Sequence, residues 1–128
     1  NLMPPPFDLD VESQPWLLPY QVRSTICAIV CINLIHICPW SSVEAMFRGA
    51  SSVLNNGSPL FLYGPFKRKG HHSSQSNEIF DKSLRLTNPL LGVRETEMLN
   101  ELSLEKGFEN NLVYEMPANN FSIVYLKK

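Results

Sequence analysis

The 128-residue sequence has almost no net charge and no long apolar run. Eleven basic and twelve acidic side chains give a formal net charge of −1 at pH 7, so no overall field attracts nucleic acid or an anionic membrane. The longest apolar run, Ile26–Ile32, is much shorter than the roughly 20 residues of a membrane-spanning helix. The three basic residues of "KRK" (67–69) lie in a polar loop and are interpreted as solvated. We therefore expect neither nucleic acid nor a membrane as a partner.

The sequence also lacks the cysteine spacing of a disulfide framework or a zinc site. Cys27, Cys31 and Cys38 are odd in number. In an extended strand the first two are about 13 Å apart, beyond the limit of about 7 Å between the Cα atoms of a disulfide. There is no CxxC pair, and the adjacent His71 and His72 have no Cys, Asp or Glu at ligand spacing, so no metal site is predicted. Reduced thiols favour a cytoplasmic protein.

We expect no secretory signal at the amino end, because "NLMPPPFDLD" does not lead from a basic region into an apolar one. Since Met3 lies inside the sequence, we expect the chain to be processed or part of a longer product. Five of the ten prolines fall within the first twenty residues, which excludes a helix there and favours extended structure. Only Phe7–Val11, "FDLDV", is predicted as a short strand. The predicted domain organisation is a proline-rich segment, 1–20, followed by one domain, 21–128.

The remainder of the sequence contains clear strand and helix patterns. Ile26–Ile32 is a continuous run of β-branched and small apolar residues, which is typical of a parallel strand buried on both faces. The following segment "WSSVEAMFRGASSVLNNG" predicts a helix that begins with a capping box at Ser41 and Glu44 and ends near a left-handed Gly57. The apolar residues at helical spacing are Val43, Met46, Phe47, Ala50 and Leu54.

Further strands and helices follow along the chain. "PLFLYGP" predicts a second buried strand that Gly64 and Pro65 terminate, and helices are predicted over about 74–88 and 95–106. The strands "NLVYEM" and "FSIVYL" are joined only by "PANN", which permits an antiparallel hairpin but no parallel crossover. The fold class is therefore α/β, with a parallel sheet and one reversed strand. The helical side chains predicted to face inward are Ile79, Phe80, Leu84, Met98, Leu99 and Leu102.

Polar residues follow the two apolar strands at the point where each strand ends. Asn33 and His36 come after Ile26–Ile32, and Tyr63 with Gly64 ends the second strand. Ligands of open α/β sheets bind beyond the carboxyl ends of the strands, so this rim is a predicted site. From the pattern alone, Asn33 is equally suited to stabilising a turn, and His36 to packing as a core histidine.

Five segments in the same order resemble a known family. "CINLIHICPW", "LYGPFKRKG", "SQSNEIFDKSLR", "NPLLGVRE" and "MPANNFSIVY" are together similar to the methyltransferase-like family typified by methyltransferase-like protein 26. That family is assigned to the class I, Rossmann-like methyltransferases that use S-adenosylmethionine. The resemblance implies a Rossmann-like sheet with strand order 3-2-1-4-5-7-6, in which strand 7, near the carboxyl terminus, is antiparallel.

The resemblance also implies roles for individual residues. Asp10 and Val11, at the end of a strand 3, would contact the adenine end of S-adenosylmethionine, and Asn33 and Leu34 its methionine part. His36 would serve as a general base if the acceptor must lose a proton. The residues implied to line the acceptor side are Trp40, Tyr63, Gly64, Pro65, Asn119 and Asn120, although "PANN" is equally suited to a simple tight turn.

Two features that this class of enzyme needs have no counterpart in the sequence. These are a glycine-rich turn after strand 1 and an acidic residue that ends strand 2. The chain thus resembles the carboxyl-terminal portion of the domain, with strands 1 and 2 missing and the cofactor site incomplete. Ile26–Ile32 would then be an apolar edge strand, which favours self-association. Two functions stay open: a methyltransferase for a small-molecule acceptor, and a non-catalytic binding module.

Overall fold

The computed structural model describes residues 5–128, apart from the side chains of residues 110 and 111. The described chain forms helix, strand, helix, strand, two helices and two strands in that order, and a short 3-10 turn, Pro117–Asn119, joins the last two strands. The elements are α1 Tyr20–Arg23, β1 Ile29–Ile32, α2 Trp40–Val53, β2 Pro59–Gly64, α3 Gln75–Thr87, α4 Thr96–Glu105, β3 Phe108–Met116 and β4 Asn120–Lys127.

The four strands form one sheet in the order β1-β2-β4-β3. β1 and β2 are parallel, with Ile29 opposite Leu60 and Ile32 opposite Tyr63, and β4 is antiparallel to both β2 and β3. The predicted hairpin is confirmed, and the order corresponds to the 4-5-7-6 half of the expected sheet. Within the described residues β1 pairs only with β2, so it is an edge strand as expected.

The hydrophobic core lies between one face of the sheet and the helices α2 and α4. Phe47 of α2 contacts the rings of Phe108 and Tyr125 edge-on, at centroid distances of 5.9 Å and 5.6 Å. Burial of one large apolar side chain contributes about 1.5–3 kcal/mol, so this aromatic cluster anchors α2 on the sheet. The residues of the segment 40–57 predicted to face inward, Val43, Met46, Phe47, Ala50 and Leu54, are all buried.

The opposite face of the sheet is exposed, which corrects the prediction of strands buried on both faces. Val30 is 62% exposed, Ile32 60% and Phe61 37%. Val30, Phe61, Val124 and Leu112 are direct neighbours in register and form an apolar row across all four strands. A parallel strand is buried on both faces only when helices cover both. In the described part of the chain, the core helices cover one face.

The amino-terminal segment differs from its prediction. Residues 7–11 form no strand, because no neighbouring strand accepts and donates the backbone hydrogen bonds that a strand requires. The predicted run Ile26–Ile32 is likewise a strand only from Ile29. The segment packs on the domain through Trp16, whose ring is buried against Gly49 of α2 and whose Nε1 donates to the carbonyl of Val11 at 3.0 Å.

The predicted capping box of α2 is wrong. The helix begins at Trp40 directly after Pro39, and no side chain caps its first turn. The hydroxyl of Ser41 instead donates to Glu12 Oε1 at 2.9 Å. The Ser41 hydroxyl thus donates to a carboxylate of the amino-terminal segment instead of accepting from the backbone N–H of Glu44, as the sequence pattern indicated.

The helix α3 packs through a charged residue and not through an apolar stripe. It begins where predicted, and the Ser74 hydroxyl accepts from the Asn77 N–H at 3.1 Å. Its buried residue is Asp81, however, at 2% exposure. The helix therefore packs on the rest of the domain through the Asp81 carboxylate, which accepts from the Val93 N–H. Of the inward-facing residues predicted for α3 and α4, Ile79, Phe80 and Met98 are exposed, Leu84 is half-buried, and Leu99 and Leu102 are buried.

Candidate functional site

The carboxyl ends of β1 and β2 bring Asn33, His36 and Gly64 together. The Asn33 N–H donates to the carbonyl of Tyr63 at 2.9 Å, and Asn33 adopts a left-handed φ of 54° that turns the chain away from the strand. A Cβ at Gly64 would lie 3.3 Å from Asn33 Oδ1 and 3.7 Å from His36 Nδ1. Glycine at this strand end therefore allows the amide and the imidazole to approach the backbone of β2.

His36 is a buried imidazole at this rim. It is 6% exposed, its ring lies edge-on to Phe80 of α3 at 5.5 Å, and its carbonyl accepts from the Gly92 N–H at 3.1 Å. Burial lowers the pKa of His36 below its ordinary value, because desolvation disfavours the imidazolium. The ring is consequently neutral at pH 7 and can accept a proton.

A polar cavity of about 410 Å³ lies between the loop after β2 and the β3–β4 hairpin. It adjoins the rim, since Phe121 in its wall is the register partner of Gly64. The hairpin turn is tight, with Ala118 and Asn119 at φ values of 61° and 60°. The polar residues that line the cavity are Arg68, His71, His72, Ser73, Glu115, Asn119 and Asn120.

Asp81 of α3 contacts His72, which lines the polar cavity. Its Oδ1 accepts from the Val93 N–H at 2.9 Å, and its Oδ2 accepts from Arg85 Nη2 at 2.9 Å. His72 Nε2 lies 3.2 Å from the same Oδ2. The carboxylate therefore compensates for its burial through three donors and fixes the orientation of the His72 ring.

Two of the predicted cofactor-binding residues lie together in an apolar groove. Val11 and Leu34 line this groove of about 410 Å³ beside β1, along with the apolar side chains of the strand itself. Asp10 is exposed, and its carboxylate accepts from the Glu12 N–H at 3.0 Å and the Ser13 hydroxyl at 3.4 Å. The strand end on which the assignment of Asp10 depended is therefore a turn.

The predicted acceptor-side residues occupy two separate places. Tyr63 is half-buried at the end of β2, Pro65 is buried directly after it, and Asn119 and Asn120 line the polar cavity. Trp40 is not brought to this cavity. It lies in a groove between α2 and α4, with the Arg94 guanidinium 5.8 Å from its ring centroid.

The sequence pattern did not identify Arg68, His72 or Asp81 as site residues. The spacing of Asp81 and Arg85 by four residues is a readable signal for an ion pair on one helix face. The contact of Asp81 with His72 depends on how the loop returns to α3, which local spacing does not encode. His71 and His72 both line the cavity.

Neither a metal cluster nor a membrane span is found among residues 5–128. No three His, Cys, Asp or Glu side chains in this range are grouped closely enough to hold a metal ion. No helix in the same range has the length and apolarity needed to cross a bilayer.

Comparison with solved structures identifies the fold. Human N-acetylserotonin methyltransferase, in complex with SAM, superposes with a TM-score of 0.73 at 13% identity, over 92% of this chain and 32% of that one. PigF with SAH gives a TM-score of 0.73 at 12% identity, over 92% of this chain and 34% of that one. A putative O-methyltransferase from Nostoc punctiforme PCC 73102 gives 0.70 at 14% identity, over 79% and 31%.

These matches establish a Rossmann-like methyltransferase fold for the chain. The chain spans about a third of the length of each of these enzymes. In sequence, the model of the family described as "Protein of unknown function (DUF938)" matches residues 1–127.

Proposed function

Since the chain belongs to the DUF938 family, we propose that it forms the acceptor side of an S-adenosylmethionine-dependent methyltransferase that acts on a small molecule. The observation that carries this proposal is the convergence of Asn33, His36 and Gly64 at the carboxyl ends of two parallel strands. Open α/β sheets bind their ligands at this position. The resemblance of five segments to methyltransferase-like protein 26 supports the same assignment.

The residues present suit one side of the cofactor. Val11 lines an apolar groove that suits a purine ring. Leu34, in the same groove, and the exposed Asn33 amide at the strand end suit the methionine part. The carboxylate of Asp10, adjacent to Val11, retains acceptor capacity for an adenine amino group. When bound, the sulfonium supplies both the activated methyl group and its leaving group. The protein then has mainly to position the acceptor.

His36 is the proposed general base. Its neutral ring accepts the proton that an acceptor hydroxyl or amine loses on methylation. Tyr63, Gly64 and Pro65 form the wall at the end of β2. The amides of Asn119 and Asn120 bind the acceptor in the polar cavity, whereas Trp40, in a different groove, is assigned no contact with it.

The proposal is tested by titrating the 15N-labelled chain with S-adenosylmethionine. We expect the backbone amide signals of Asn33 and Leu34 to shift without saturating at micromolar concentrations, because the residues present form only part of a cofactor site. Asn33→Ala should reduce these shifts, and Asn55→Ala, at an exposed position elsewhere, should not. A micromolar dissociation constant would contradict the incomplete site, and unchanged rim signals would contradict the proposal itself.

A second candidate function is a non-catalytic binding module. It is favoured by the edge of β1 with which no other described strand pairs, where Val30 and Ile32 are exposed beside an apolar groove. An edge strand offers backbone hydrogen-bonding groups to another strand, and a second copy of this chain is the proposed partner.

A further inference from the structure

We propose that the polar cavity between residues 68–73 and the β3–β4 hairpin binds an anionic group, a carboxylate or a phosphate, of the methyl acceptor. This inference rests on the proposed function, which leaves the chemistry of the acceptor open. The cavity volume of about 410 Å³ is in the range of small-molecule sites, and too small for a polymer to be enclosed.

A tight turn places two of the cavity's basic side chains opposite each other. Arg68 and His71 exchange two backbone hydrogen bonds of 3.0 Å and 2.9 Å, across Lys69 and Gly70 at φ values of 51° and 76°. Residues opposite each other in such a two-residue hairpin project to the same side. The Arg68 guanidinium also lies 5.6 Å from the ring centroid of Phe121, which holds it at the cavity wall.

His72 has a polar atom that lacks a partner. Its Nε2 faces the buried carboxylate of Asp81, and its Nδ1 is buried with no hydrogen-bond partner among the described residues. A polar group of a ligand bound in the cavity would satisfy this nitrogen. The unpartnered nitrogen therefore points to a ligand independently of the charge of Arg68.

The position of the cavity explains how such a group assists methyl transfer. Phe121 lines the cavity and is the β4 residue paired with Gly64 of β2. Gly64 in turn lies next to His36 at the rim, so the cavity and the rim adjoin. The Asn77 side chain donates to the Asn119 carbonyl at 3.1 Å and joins α3 to the hairpin at the same place. An anionic group bound in the cavity therefore orients the acceptor, while a separate nucleophilic atom of the acceptor faces the rim.

One carboxylate opposes this binding and provides a test of its charge dependence. Glu115 is exposed and lines the same cavity, so it repels an anion that Arg68 attracts. Removal of each charge should change the affinity for an anion in opposite directions. Arg48, exposed on α2 and outside the cavity lining, provides the matched control for loss of a positive charge.

The experiment is a titration of the 15N-labelled chain with inorganic phosphate and, separately, with acetate. Ionic strength is held constant with sodium chloride, and S-adenosylmethionine is absent. We expect saturable shifts of the His71, Asn119 and Asn120 amides. Arg68→Gln should weaken binding about tenfold, because it removes a charge-assisted contact. Glu115→Gln should strengthen binding about twofold, since the lost repulsion is partly screened by solvent, and Arg48→Gln should leave it unchanged.

The comparison of phosphate with acetate shows which anionic group of the acceptor the cavity binds. Stronger binding of phosphate indicates a phosphate-bearing acceptor, and stronger binding of acetate a carboxylic acid. The proposal is overturned if neither anion shifts these amides, or if Arg68→Gln and Arg48→Gln weaken binding equally. Because no cofactor is present, loss of the proposed methyltransferase activity would leave this result intact, and a failure here would leave the rim assignments of Asn33 and His36 standing.

Discussion

His36 combines a reactive side chain with an environment that disfavours its charged form. The ring is buried against Phe80, while its Nδ1 lies near the backbone position of Gly64 at the sheet rim. Desolvation is the cause of its lowered pKa. The same burial that keeps the imidazole neutral for proton transfer also makes folding depend on pH.

The pKa of His36 predicts a loss of stability in mild acid. Because the pKa is lower in the folded than in the unfolded chain, the unfolded chain binds more protons below about pH 6.5. The contribution of neutral His36 is thus fully present above that pH and is lost as the pH falls through the folded-state pKa. We expect the free energy of unfolding to decrease less between pH 7.5 and 5.5 in His36→Asn than in the unsubstituted chain, as measured by urea denaturation.

A substitution that removes no titratable group provides the control for this measurement. Asn55→Ala, at an exposed position, should retain the pH dependence of the unsubstituted chain. Equal pH dependence in His36→Asn and the unsubstituted chain would show that the buried ring does not titrate as proposed.

At the scale of secondary structure elements, α2 packs closely against the ring of Trp16 in the amino-terminal segment at Gly49. A Cβ at Gly49 would overlap the ring of Trp16, which is 4% exposed. Glycine in a helix interior normally costs about 0.5–1 kcal/mol relative to alanine. At this position the glycine is required because the indole occupies the space of a side chain.

We therefore predict opposite effects of Gly49→Ala in two backgrounds. In the unsubstituted chain it should lower the free energy of unfolding by about 2 kcal/mol, because the helix gain is smaller than the loss from displacing a packed ring. In a Trp16→Ala background the same change should be neutral or stabilise by up to about 1 kcal/mol. Urea unfolding followed by circular dichroism measures both, and an equal cost in the two backgrounds would disprove the contact.

At the scale of the whole molecule, the described chain has two open apolar surfaces on the same sheet. One is the unpaired edge of β1, and the other is the sheet face that carries Val30, Phe61 and Leu112. Both surfaces include Val30 and Ile32. Exposed apolar strand edges associate with other strands unless they are covered.

We expect the chain to self-associate through β1. Its mass by size-exclusion chromatography with light scattering should increase with concentration, and the amides of Ile29–Ile32 should become protected from hydrogen exchange. Val30→Lys should shift the equilibrium towards monomer, since it places a charge on the exposed face of the edge strand. This position is better suited than Ile29, which packs against the core.

Ile79→Lys is the matched control for Val30→Lys. Ile79 is 60% exposed and Val30 62%, but Ile79 lies on α3 and not on the edge strand. Ile79→Lys should leave the association unchanged. A well-folded monomer at high concentration, with freely exchanging β1 amides, would show that this edge is neither paired nor adhesive.

The sequence by itself determined the elements with a strong local signal. The apolar periodicity of α2 predicted the buried Val43, Met46 and Phe47, and the four-residue connection "PANN" required an antiparallel hairpin. The polar residues after β1 and β2 also predicted the rim. These features depend on spacing within a few residues, and local backbone geometry encodes such spacing directly.

Only the tertiary structure decided which surfaces are covered and which distant groups meet. Phe80 and Ile79 have the apolarity of core residues but are exposed, because α3 packs through Asp81. The strand predicted at residues 7–11 is absent because it has no neighbour in the sheet. The contact of His72 with Asp81 joins a loop to a helix nine residues later. Burial and pairing depend on partners that are remote in sequence, so the pattern of a single segment cannot specify them.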